Sequence, residues 1–162
     1  MEQRVPDFMS LYDAWMKLAP GPKAELKRVS SPDELLEIPA FYRLFSEMAS
    51  EEWGETAFQR LVFCLPCIKH TDSDVNLGAA IARDEHGMTE KRLFQVMRSE
   101  FPNDMIQLRQ ILKMVGPVVN WSMAAKQLWN WNERSKSDLL EDFFLNQTTD
   151  KNTKSIGEKH AH

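Results

Sequence analysis

The sequence predicts an all-α protein, one domain of about eight or nine short helices with no sheet, and three observations predict it. Apolar residues recur with the 3.6-residue helical period along most of the chain, Pro and Gly interrupt that pattern at short intervals, and no segment alternates apolar and polar residues as a half-buried strand does. The chain has 162 residues, 43% hydrophobic and 27% charged, which is the balance of a folded domain and not of a disordered one. The longest unbroken apolar stretch, Leu61 to Ile68, is too short to span a bilayer and contains Pro66. The N-terminal Met1-Glu-Gln-Arg-Val-Pro-Asp7 lacks the apolar core of a secretory signal, so a cytoplasmic location is expected.

The elements follow in order. Phe8, Leu11, Tyr12, Trp15 and Leu18 form one apolar stripe, stopped by Pro20-Gly-Pro22. Ser31-Pro-Asp-Glu34 has a hydroxyl at the cap, Pro at the first helical position and a carboxylate three residues on, so a capping box starts a helix there. Pro39 redirects the chain into Phe41-Tyr-Arg-Leu-Phe45, and a further helical segment runs from Trp53-Gly54 to Leu65. Residues 69–76 are polar and turn-forming. Leu77 to Arg83 reads as a short helix ended by Gly87, Thr89 caps a helix to Ser99, and Asn103 caps one whose stripe is Met105, Leu108, Ile111, Leu112 and Val115, ended by Gly116-Pro117. Met123 to Trp131 and Asp138 to Leu145 complete a helical domain over 1–145, and residues 146–162 have so little to bury that a disordered tail is expected.

Catalytic chemistry is sparse. Cys64 and Cys67 have C-x-x-C spacing, but no strand precedes them and no second pair or His follows at ligand spacing, so both read as small core residues. His70, Asp72 and Asp74 share a polar loop with no rigid element to fix a metal geometry, and no phosphate-binding or nucleophile motif occurs. No enzyme, metal or cofactor is expected.

Charge is more informative in its distribution than in its total of −4. Residues 31–58 carry one base against seven acids, residues 17–28 four bases against one acid, and residues 83–136 nine bases against six acids. Lys91, Arg92 and Arg98 form a basic ridge on one predicted helix, and Arg109 and Lys113, four apart, form another on the next. Such ridges are either solvated faces or a strip that meets a phosphate backbone without reading bases. Residues 79–98 also loosely fit a helix-turn-helix, which keeps a DNA-binding regulator as the alternative function.

Several blocks taken together carry a resemblance. Lys27-Arg-Val-Ser-Ser-Pro-Asp-Glu-Leu35, Ile38-Pro-Ala-Phe-Tyr-Arg-Leu44, Leu61-Val-Phe-Cys-Leu65, Leu77-Gly-Ala-Ala-Ile-Ala82, Lys91-Arg-Leu-Phe-Gln95, Met105-Ile-Gln-Leu-Arg109 and Leu139-Leu-Glu-Asp-Phe-Phe-Leu145 resemble, in the same order, the CasB family, the small subunit of the type I-E CRISPR complex Cascade. The resemblance implies a noncatalytic helical subunit, present as two copies beside the large and backbone subunits, that holds an R-loop open through contacts to the displaced strand and the duplex of crRNA with target DNA. It implies nucleic-acid-binding roles for Lys27, Arg28, Arg43, Lys91, Arg92, Arg98 and Arg109, then Lys113 and Arg134, with no membrane partner. Sequence being read by base pairing with the guide, such a subunit needs only phosphate contacts.

Overall fold

A computed structural model describes residues 7–48, 54–83 and 88–160, with side-chain surroundings for residues 7–46, 54–83 and 89–147. Nine α-helices are found among the described residues. Helix α1 (Phe8–Lys17) buries Phe8, Leu11 and Trp15, and the Asp7 side chain caps it by accepting the Ser10 N–H at 3.1 Å. Bonds from Ser10, its side chain first and its N–H second, hold the Asp7 carboxyl below its ordinary range. Pro20-Gly-Pro22 ends α1 as expected and also opens α2 (Pro20–Arg28), because a proline ring fits the first helical turn, whose N–H has no intrahelical partner in any case.

The expected capping box forms differently. Residues Pro32–Glu37 are a 3-10 helix, the Glu34 carboxylate accepts the Ser30 N–H at 2.7 Å, and the Ser31 hydroxyl turns to Asp33. Helices α3 (Pro39–Met48) and α4 (Glu55–Cys64) follow. Helix α4 buries Phe58, Leu61, Val62, Phe63 and Cys64 and packs against α2, the 3-10 helix and two later helices, so it lies in the centre of the fold. Cys64 is a free thiol whose burial pushes it above its ordinary range, as a core residue requires; Cys67, also free, is only half-buried.

The expectation of no sheet is corrected by one two-residue pair. Strand β1 (Lys69–His70) runs parallel to β2 (Val118–Val119), with Lys69 opposite Val118 and His70 opposite Val119. Two residues are too few to show alternation, and the pair exists because the chain leaving α4 and the chain leaving α7 run side by side. Its bonds extend outward, from the Lys69 N–H to the Pro117 carbonyl and the Thr71 N–H to the Val119 carbonyl, both 3.0 Å.

Helix α5 (Leu77–Ala82) is capped by Asn76, whose side chain accepts the Ala79 N–H at 2.7 Å. The expected cap Gly87 lies outside the described residues, as does the turn of the helix-turn-helix reading and most of the acidic segment 47–55. Helix α6 (Met88–Arg98) contains Thr89, buried in its first turn. Helix α7 (Asn103–Val115) starts at Asn103 with Pro102 at the cap and no side-chain cap, and it ends at Gly116, whose φ of 59° is the left-handed conformation that glycine adopts without penalty. Helices α8 (Trp121–Trp129) and α9 (Glu133–His160) complete the order.

Helix α5 meets α9 at Gly78, where a Cβ would lie 2.6 Å from the Leu139 carbonyl oxygen and 2.8 Å from the Phe143 nitrogen. Only glycine permits that approach. No helix among the described residues is long and apolar enough to cross a membrane.

Candidate nucleic-acid interface

Cations in this fold have two destinations, and helix C-termini account for the first. The last carbonyls of a helix have no intrahelical donor and lie at the negative end of its dipole, so a nearby Arg or Lys is drawn to them. Lys23 Nζ donates to the Met16 carbonyl at the end of α1 at 3.0 Å. Arg60 Nε and Nη2 donate to the Leu128 and Trp129 carbonyls at the end of α8, at 2.8 and 2.9 Å. Burial lowers the Arg60 guanidinium from its ordinary value, while the charge of Asp104 opposes that shift. Lys136, 6% exposed, donates to the Ser99 carbonyl just beyond α6 at 2.8 Å and pairs with Asp104 at 3.1 Å. The same Asp104 carboxylate accepts the Trp131 indole N–H at 2.9 Å.

Arg109 belongs to this inward group, which corrects its expected place on an exposed ridge. It is 3% exposed, donates to the Lys27 carbonyl at 2.8 Å and to the Val29 and Leu26 carbonyls, and lies 4.5 Å over the Phe63 ring. Arg109 follows Met105 by four residues and precedes Leu112 by three, so it stands on the flank of the α7 apolar stripe. The incoming end of α2 then closes over it. Its work is to tie down the turn that carries Lys27 and Arg28.

The remaining expected contacts face outward. Lys27 and Arg28 in the last turn of α2, Arg43 on α3, Lys91 and Arg98 on α6, Lys113 on α7 and Arg134 in the first turn of α9 are exposed, and Arg92 on α6 is half-buried. None of them has an ion-pair partner among the described residues. The structure brings Lys27 and Lys113 together at an open cavity of about 360 Å³ between α2, β1 and α7, with Arg109 in its wall. Lys69, expected in a polar loop, lines the same cavity. No periodic signal could have placed Lys69 there, because the parallel strand pair sets its position.

His70 is bound into the fold. Its Nδ1 accepts the Trp121 N–H at 3.0 Å, so the proton sits on Nε2, which donates to Asp72 at 2.8 Å. The Tyr12 hydroxyl accepts the His70 backbone N–H at 3.2 Å. This histidine joins α1, β1 and the start of α8. Among the described residues no three His, Cys, Asp or Glu side chains are grouped to hold a metal ion.

The fold is thus a mostly helical one whose exposed cations come from several elements, and comparison with known proteins gives the family. Residues 22–144 match the family described as CRISPR-associated protein Cse2, and the chain belongs to it. The chain is 41% identical over 157 residues to the CRISPR system Cascade subunit CasB of Escherichia coli (strain K12), covering 90% of this chain and 96% of that one. A chain in the crystal structure of E. coli Cascade bound to a PAM-containing double-stranded DNA target superposes with a TM-score of 0.82 at 39% identity, over 90% of this chain and 99% of that one.

Proposed function

We propose that this chain is the noncatalytic small subunit of a crRNA-guided type I-E Cascade complex, where it works beside the large and backbone subunits and a second copy of itself. The observation that carries the reading is its likeness to the Cascade subunit CasB along nearly the whole of both chains. In that setting it stabilises the R-loop by touching phosphates of the displaced strand and of the guide–target duplex through Lys27, Arg28, Arg43, Lys91, Arg92, Arg98, Lys113 and Arg134. The outward, unpaired state of these cations supports that role. R-loop formation is nearly balanced energetically, so a few phosphate contacts suffice to shift it. The occupation of His70 by structural bonds supports a noncatalytic subunit. Where a disordered tail was expected after residue 145, α9 runs on to His160, and this stretch is proposed to lie outside the packed domain.

The test is copurification with the other Cascade subunits and a crRNA, followed by R-loop lifetimes over a salt series. Lys27→Ala with Arg28→Ala is expected to leave assembly intact and to flatten the slope of log affinity against log salt by roughly 0.7 per lost single-strand phosphate contact. Failure to copurify overturns the subunit assignment. An unchanged slope in an assembled complex overturns the role of these two residues.

A further inference from the structure

The cavity between α2, β1 and α7 has more than a phosphate needs. Three ammonium groups from three different elements, Lys27, Lys69 and Lys113, ring it, and no carboxylate lines it. Arg109 is in its wall, and the Arg109 Nε–H is the one buried side-chain polar atom among the described residues with no hydrogen-bond partner. Such orphaned donors are rare in folded proteins. Between the cations the wall is apolar, with Pro66 and Cys67 at its surface and Ile68 and Leu112 buried behind them. The volume of about 360 Å³ is in the range of pockets that hold small molecules, roughly 300–1,000 Å³.

We propose that this cavity receives one unstacked nucleotide of single-stranded nucleic acid, its phosphate held by Lys27, Lys69 and Lys113 and its base laid against Pro66 and Cys67. A free anion would use the lysines and leave the apolar wall wet. A base inside a duplex is stacked and cannot enter a recess, whereas a single strand presents bases that can turn out of the backbone path. The wall offers no set of donors and acceptors matched to one base edge, so any base is accepted, as a subunit serving every guide requires. This inference rests on the R-loop reading above and gives it a subsite.

Cys67 lies in the cavity wall while Cys64, the other thiol in the chain, is fully buried, so maleimide reaction at Cys67 reports occupancy. The intact chain is treated with N-ethylmaleimide alone and with oligothymidylate, with the same oligomer lacking all bases, and with inorganic phosphate, and the peptide containing Cys67 is quantified. Oligothymidylate is expected to slow the reaction by 1 + [oligomer]/Kd, about tenfold at a ninefold excess over Kd. The abasic oligomer and phosphate leave the rate close to that of the free chain. Lys69→Ala with Lys113→Ala removes the protection while helical circular dichroism is retained. Equal protection by the abasic oligomer or by phosphate makes this an anion site and overturns the proposal. Oligothymidylate that binds by fluorescence anisotropy without protecting Cys67 overturns the pocket and leaves the R-loop reading intact. Absence of any oligomer binding at low salt also overturns the pocket, and the R-loop reading is then decided separately by the lifetimes in assembled complexes.

Discussion

Arg109 and Lys113 lie one turn apart on α7 and have opposite surroundings. The first is buried under the end of α2 with its guanidinium on three backbone carbonyls; the second is exposed at the rim of a cavity with no carboxylate beside it. The same contrast holds between Lys136, buried against Asp104, and Arg134 two residues earlier, which is exposed. Helix C-termini and nucleic-acid phosphates offer a cation the same thing, a concentration of negative oxygen, and in a fold of many short helices the first claim is made inside the protein. A cation is available to a partner only where no helix end has taken it.

The sharpest way to break this comparison is to truncate both members of the α7 pair. Arg109→Ala is expected to cost on the order of 4 kcal/mol in urea unfolding, since two buried carbonyls and one part-buried carbonyl lose a charged donor at about 1–3 kcal/mol each. Lys113→Ala should shift stability by about 0.5 kcal/mol or less. Similar midpoints for the two variants would dissolve the distinction.

Next in size is Asp104→Ala, which leaves the Lys136 ammonium buried without its partner and also removes the acceptor of Trp131. A loss of about 3 kcal/mol is expected. Adding Lys136→Met should recover part of it, because the stranded charge is then gone, and a double-mutant cycle measures the coupling.

Gly78→Ala comes third. In an exposed helix this exchange stabilises by up to about 1 kcal/mol, but here the new methyl would meet backbone atoms of α9 that cannot yield cheaply. We expect a loss of about 2 kcal/mol from overpacking, and a gain in thermal stability would show that α5 and α9 can move apart.

For the outward cations, replacing Lys91, Arg92 and Arg98 together by Ala should leave the fold intact and reduce the salt slope of single-strand binding by roughly 2, or about 0.7 for each phosphate lost. A large stability loss instead would place one of the three among the inward group.

The smallest effect is in pH dependence. Burial, then Asp138 and Glu141, raise the Asp142 carboxyl above 3.8, so the folded state holds that proton more tightly than the unfolded chain. Its contribution therefore favours the fold at low pH and is lost as pH rises from about 3.8 through the raised value. Asp142→Asn should remove this decline and raise the melting temperature slightly at neutral pH. Asp7 works the other way: its carboxyl is lowered by bonds to Ser10, so its contribution is present above 3.8 and fades as pH falls below it. Asp7→Asn should flatten that acid limb.

Local sequence was sufficient wherever the physics is local. The 3.6-residue stripes of α1 and α7, the stop at Pro20-Gly-Pro22, the Pro39 start and the Gly116 stop are all properties of a few consecutive residues, and the structure has them, whereas the helix that Pro20 opens was not foreseen. The ordered blocks that resemble CasB likewise pointed to the family that the comparisons show. Caps were less legible, because Ser31 and Asn103 each had a neighbour able to take the role differently once the helix was 3-10 or began at the expected cap itself.

By itself, then, the sequence determined the helical class, the main breaks and the stock of basic residues. The tertiary structure alone decided which way each cation turns. Periodicity gives the direction of a side chain relative to its own helix axis, and by that measure alone Arg109 belonged on an exposed ridge beside Lys113. The end of α2, eighty residues away in the chain, presents its carbonyls at that flank and takes the guanidinium. The β1–β2 pair brings Lys69 beside Lys27 and Lys113 in the same non-local way. Contacts between distant segments depend on how helices are set against one another, and that arrangement is fixed by the packing of the whole core around α4.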